Sequence, residues 1–130
     1  MPFDRRAFIV TVASGALATT LPGLATPTGN TSMYGLIGKM LATPGQRDAL
    51  ISILLEGIHD MPGCLSYVVA RDLADENAIW ITEVWDDEAS HKASLSLPSV
   101  RQAITKAKPL IAGFGDHVKT APAGGHGLPK

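Results

Sequence analysis

The chain of 130 residues is 45% hydrophobic and 18% charged with a net charge of −1, which is enough apolar surface for one packed core and too much for a disordered tail. No window concentrates its 11 lysines and arginines, so the electrostatic footprint that a phosphate backbone demands is missing and nucleic acid is not an expected partner. Cys64 is the only cysteine, which excludes an intrachain disulfide, and no C-x-x-C or closely spaced His/Cys/carboxylate set suggests a metal site.

Residues 1–25 differ from all that follows. Arg5 and Arg6 precede an uncharged run from Ala7 to Leu21, and Gly23 and Ala25 occupy the −3 and −1 places of a cleavage site, with Ala16-Leu17-Ala18 as an earlier alternative. This is the layout of a secretory signal, and the paired arginines before Ala7-Phe8-Ile9 are similar to the twin-arginine export motif, with Asp4 where Ser or Thr is usual. An exported protein, periplasmic or secreted and carried by the twin-arginine route, is therefore expected. The apolar run is shorter than the ~20 residues a spanning helix needs, so no stable membrane insertion is expected after cleavage. Residues 26–32, with Pro27 and Gly29, form an expected flexible leader.

The domain is expected over residues 33–120. A first strand over 33–41 places Tyr34, Leu36 and Met40 on one face. Thr43 as cap and Pro44 in the first turn open a helix to about Asp60, whose stripe is Leu50, Ile51, Leu54, Leu55 and Ile58. Met61-Pro62-Gly63 stops it, and a second strand runs over 64–71. The third, 78–85, sets Ile79, Ile81, Glu83 and Trp85 on one face against Trp80, Thr82 and Val84 on the other. Asp86 is the expected N-cap of a short helix over 87–95. Pro98 interrupts it, a further helix covers 99–106 and carries Val100, Ala103 and Ile104 inward, and a fourth strand covers 114–120. Residues 121–130, with three glycines and two prolines, are an expected flexible tail.

Strand, helix, strand, strand, helix, strand is the split βαβ order of an α+β, ferredoxin-like fold: a four-stranded antiparallel sheet with helices on one face. Both sheet faces carry apolar residues, so the second is expected to be buried in a homodimer, with Trp80 at the interface.

The run Ile81-Thr82-Glu83-Val84-Trp85-Asp86-Asp87-Glu88-Ala89-Ser90-His91, with Met61-Pro62-Gly63-Cys64 and Pro44-Gly45-Gln46-Arg47, resembles the antibiotic biosynthesis monooxygenase family, also called quinol-monooxygenase-like. The resemblance covers about residues 33–119. It implies a dimeric α/β barrel of ferredoxin-like subunits and a cofactor-independent monooxygenase that oxidises a quinol or polyphenolic aromatic with dioxygen. The same fold hosts non-catalytic binding or stress-response proteins and haem-binding proteins, which stay open as alternatives. In many quinol-oxidising members the helix histidine comes later than His91, at the place of Ser94.

On that reading His91 is the catalytic base, since an imidazole near its ordinary pKa can take a phenolic proton; otherwise it is a half-exposed histidine on a short helix. Trp85 is an aromatic wall for a planar substrate or a core residue, and the Tyr67 hydroxyl orients a substrate oxygen. Glu83, a carboxylate among Ile79, Ile81 and Trp85, must be paired, with Lys39 or Arg71 as expected partners, or have a raised pKa; it is a structural ion-pair residue or a catalytic acid, and a substrate-binding candidate. His59, near the end of the first helix, suits the negative end of its dipole and is a further substrate-binding candidate. His117 fits either a pocket or the solvent face, and His126 lies in the tail.

Overall fold

The computed structural model describes residues 32–129; the expected signal segment and the leader through residue 31 lie outside the described residues. In chain order come β1 (Tyr34–Ala42), α1 (Arg47–Glu56), β2 (Cys64–Arg71), β3 (Ala78–Trp85), α2 (Glu88–Ser94), α3 (Pro98–Ala107), a 3-10 turn (Lys108–Leu110) and β4 (Ile111–Thr120). The strands lie in the order β2-β3-β1-β4, every neighbouring pair antiparallel, which is the ferredoxin-like α+β arrangement. Among the described residues no helix is long and apolar enough to cross a membrane.

Alternation along β3 decides what faces the helices. Ile79, Ile81, Glu83 and Trp85 are buried while Thr82 is exposed. The β1–β3 register pairs Met40 with Ile79, Leu36 with Glu83 and Tyr34 with Trp85, so these residues share the helix side. One core cluster joins Met40, Ala42, Ile79 and Ile81 to Leu50 and Ile51 of α1 and Ala107 of α3. A second, Tyr34, Leu36 and Trp85, packs with Met61 and Cys64 at the other end of the strands. Fully burying side chains such as Leu50 and Ile79 contributes roughly 1.5–3 kcal/mol each.

Several boundaries differ from the sequence expectation, each for a local reason. Pro44 and Gly45 do not open α1: Gly45 adopts φ 79° and the Gln46 amide donates to the Thr43 carbonyl at 2.9 Å, a turn with Pro then a left-handed Gly that places the first helical residue at Arg47. At its other end α1 stops at Glu56 rather than Asp60. Gly57 presses against α3 there, and a Cβ on it would lie 2.6 Å from the Ala103 Cβ. Asp87, not Asp86, caps α2, its carboxylate accepting from the Ser90 amide at 2.8 Å. Pro98 begins α3 at a position where its missing N–H costs nothing. β4 starts earlier than expected, at Ile111, paired with Ala42. Arg47 fixes the β2–β3 turn by donating to the carbonyls of Asp72, Asp75 and Ala78 at 3.1, 3.0 and 3.3 Å.

The opposite sheet face carries Ile37, Lys39, Leu41, Val68, Trp80, Val84 and Val118, of which Val68 is 51% and Val118 49% exposed. Trp80 donates to Asp72 at 2.8 Å, and the Lys39 ammonium lies 5.6 Å from its ring centroid.

Candidate functional site

Between the helix side of the sheet and the three helices lies a cavity of about 190 Å³. Leu54 of α1 and Val100, Ala103 and Ile104 of α3 form one wall; Met40, Ile81 and Phe114 of the sheet form the other. Tyr67, Glu83 and His91 supply polar atoms at one end. The register explains their meeting: Tyr67 pairs with Glu83 across β2 and β3, and Glu83 pairs with Leu36 across β3 and β1.

Glu83 is 4% exposed and His91 5%, so both titrate in a poor solvent for charge. The Trp85 indole donates to Glu83 Oε1 at 2.9 Å, and the same oxygen lies 3.7 Å from His91 Nε2, inside ion-pair range and beyond a good hydrogen bond. Burial pushes the Glu83 carboxyl up to about 7, with the Trp85 hydrogen bond pulling the other way. Burial pushes His91 down to about 4, helped by the charges of His117 and Lys119. At neutral pH His91 is thus an uncharged imidazole, and the carboxyl beside it is the group that ionises. Burial and the Glu83 charge hold the Tyr67 hydroxyl well above its usual range. Tyr34 is raised to about 12 by burial first, then by Glu88 and Glu83.

His91 is held from three sides. Its ring lies 5.4 Å from Trp85, edge to face, and 5.5 Å from Tyr34. One turn later the Ser94 hydroxyl donates to the His91 carbonyl at 2.6 Å. The start of α2 is tied to the start of β2 through the Asp86 amide, which donates to the Gly63 carbonyl at 2.8 Å. Gly63 sits at φ 85° directly beneath Ser90 and Asp86, where a side chain has neither the conformation nor the space. Tyr34 Oη and His91 Nδ1 are both buried without a hydrogen-bond partner among the described residues.

Of the residues singled out from sequence, His91, Trp85, Tyr67 and Glu83 line this one cavity. His59 does not. It is exposed on the α1–β2 connection, 3.5 Å from the Asp60 carboxylate, and faces a groove on the outside of α1 and α3. Nor does it cap a dipole, because α1 ends three residues earlier. The expected pairing of Glu83 with Lys39 or Arg71 is absent: Lys39 is on the opposite face over Trp80, and Arg71 donates to Asp48 at 3.0 Å. The alternative of a half-exposed His91 fails because the helix turns it onto Trp85. Sequence reasoning gave Tyr34 no role beside His91, but it turned Val100, Ala103 and Ile104 of α3 inward, where they line the cavity. Ala107, one turn beyond Ala103 and Ile104, continues the same face into the cavity lining.

Comparison with known proteins bears on this site. The antibiotic biosynthesis monooxygenase profile matches residues 33–106, more than half of the chain. The chain belongs to the antibiotic biosynthesis monooxygenase family. A crystal structure of a provisionally named antibiotic biosynthesis monooxygenase from Chloroflexus aurantiacus J-10-fl is 69% identical, with a TM-score of 0.74, covering 75% of this chain and all of that one. Provisionally named members from Nitrosomonas europaea (11% identity, TM-score 0.67, 72% of this chain and 93% of that one) and Caulobacter crescentus CB15 (18%, 0.62, 74% and 92%) share the fold. A search of curated protein sequences returns no match. The matched region contains every polar residue at the inner end of the cavity.

Proposed function

We propose that this member of the antibiotic biosynthesis monooxygenase family oxidises a quinol or polyphenolic aromatic with dioxygen inside the cavity. The observation that carries the reading is the Glu83 carboxyl, ionising near neutral pH at one end of an apolar chamber, beside an uncharged His91. An ordinary phenol loses its proton near pH 10, so transfer is uphill by about 4 kcal/mol to Glu83 and about 8 kcal/mol to His91. Glu83 is the better proton acceptor, and His91, expected from sequence to be the base, serves as a neutral hydrogen-bond partner that steers the phenolic oxygen.

A phenolate can pass an electron to dioxygen itself, which leaves the protein to bind, deprotonate and exclude water. The balance closes without another reductant: a quinol and O2 give a hydroxyquinone and water. The ring gains one C–O bond, the O–O bond breaks, and two hydrogens leave with the second oxygen. Dioxygen uptake by the purified protein with a panel of hydroquinones, catechols and anthrones tests this, using 18O2 to label the product. One labelled oxygen per product molecule is expected; unlabelled product, or no uptake with any substrate, would sink the proposal.

Two further properties belong to the same proposal. The apolar outer face, with Val68 and Val118 half exposed, fits burial in a homodimer. The signal-like segment fits export to the periplasm or beyond, with an exported small aromatic as the molecule encountered there.

A further inference from the structure

We infer that the cavity selects a single-ring phenol whose hydroxyls lie on one edge of the ring, a catechol with a short apolar substituent, over both a para-quinol and a fused three-ring polyphenol. The inference rests on the cavity being the substrate site and deepens that reading to a substrate class.

Two observations carry it. The first is size: an apolar cavity of roughly 150 Å³ takes one benzene ring, and this one measures about 190 Å³. That leaves room for one ring and a small substituent. The second is the distribution of polarity. Tyr67 and Glu83 are cross-strand partners at the level of Leu36, whereas Phe114 stands at the level of Met40 and Ile111 at that of Ala42. At about 3.3 Å per residue, Met40 and Ile111 lie roughly 13 and 20 Å along β1 from the polar group. Beyond that group the lining is apolar except for Ser94, on α2 beside His91 with its hydroxyl donating to the His91 carbonyl, and the exposed Lys108.

Adjacent hydroxyls therefore both reach the Tyr67, Glu83 and His91 end, while a hydroxyl across the ring is driven among Ile81, Leu54 and Ile104. A buried hydroxyl without a partner weakens binding by about tenfold or more. The aliphatic end of the ligand then points along β1 toward Phe114.

The test is binding without turnover. Under anaerobic conditions, 4-ethylcatechol, its isomer 2-ethylhydroquinone and 1,8-dihydroxyanthrone are titrated into the intact protein by calorimetry. The anthrone also carries its oxygens on one edge, so it probes size alone. The catechol is expected to bind at least about tenfold more tightly than either. Ile104→Ala, which widens the apolar wall, is expected to bring in the anthrone, and Val100→Phe to weaken the catechol at least about tenfold while both variants keep the parent's circular dichroism. Equal or tighter binding of the hydroquinone or the anthrone by the parent would overturn the inference and leave the oxygenase reading intact. Catechol binding in the expected order without dioxygen uptake in air would do the reverse. Failure of all three to bind would overturn the inference together with the assignment of the cavity.

Discussion

Glu83 and His91 are expected to oppose one another in the pH dependence of stability, and substituting either should unmask the other. Glu83 rises from an ordinary 4.5 to about 7 on folding, so between those values the folded chain holds a proton that the unfolded chain has lost, and stability falls as pH rises. His91 drops from 6.5 to about 4, so the unfolded chain takes up a proton that the folded chain refuses, and stability falls as pH drops through that window. Each displacement corresponds to about 3 kcal/mol at its full extent. Over pH 4.5–6.5 the two contributions cancel in the parent. Relative to the parent, Glu83→Gln should gain up to about 3 kcal/mol as pH rises from 4.5 to 7, and His91→Gln should gain a similar amount as pH falls from 6.5 to 4. Urea unfolding of the three proteins at half-unit pH steps measures this, and taking differences from the parent removes the other titrating groups. Difference curves that stay flat across pH 4–7 for both variants would refute the assignment of these shifts to burial at the cavity end.

Other expectations concern the scaffold. Leu50→Ala empties a fully buried site and should cost about 3–5 kcal/mol in urea unfolding, the upper part of the range for such truncations. Arg47→Met removes three hydrogen bonds to the β2–β3 turn and should lower stability by about 2 kcal/mol while speeding amide exchange at Ala74 and Asp75. Val68→Glu places a charge on the half-exposed apolar face and should convert a dimer into monomers in analytical ultracentrifugation without changing the far-ultraviolet spectrum.

The fold was legible because its elements rest on strong local signals: strict alternation from Ile79 to Trp85 and the Leu50 and Ile51 stripe. Boundaries were less so. Pro44-Gly45 reads equally as a helix start or a tight turn, and what decides between them is the left-handed backbone at Gly45. Three cavity residues, Tyr67, Glu83 and Trp85, were visible on the strand alternation, Glu83 above all, and His91 on the helix that follows. Their electrostatics were not. Whether His91 is a near-neutral base or a suppressed one depends on burial and on contacts with Tyr34 and Trp85 from separate strands, which no local window contains. His59 misled for the same reason: its place on the outside follows from Gly57 ending α1 against Ala103.

The most direct test of the account is the pH profile of kcat/KM for 4-ethylcatechol oxidation, followed by dioxygen uptake in the parent and in Glu83→Gln. The parent is expected to show an acid limb bending near pH 7, and the variant to lose activity by roughly a hundredfold or more, as removal of a proton acceptor does. A Glu83→Gln profile that keeps both the rate and the limb of the parent would contradict the assignment of the proton to Glu83 and the mechanism built on it.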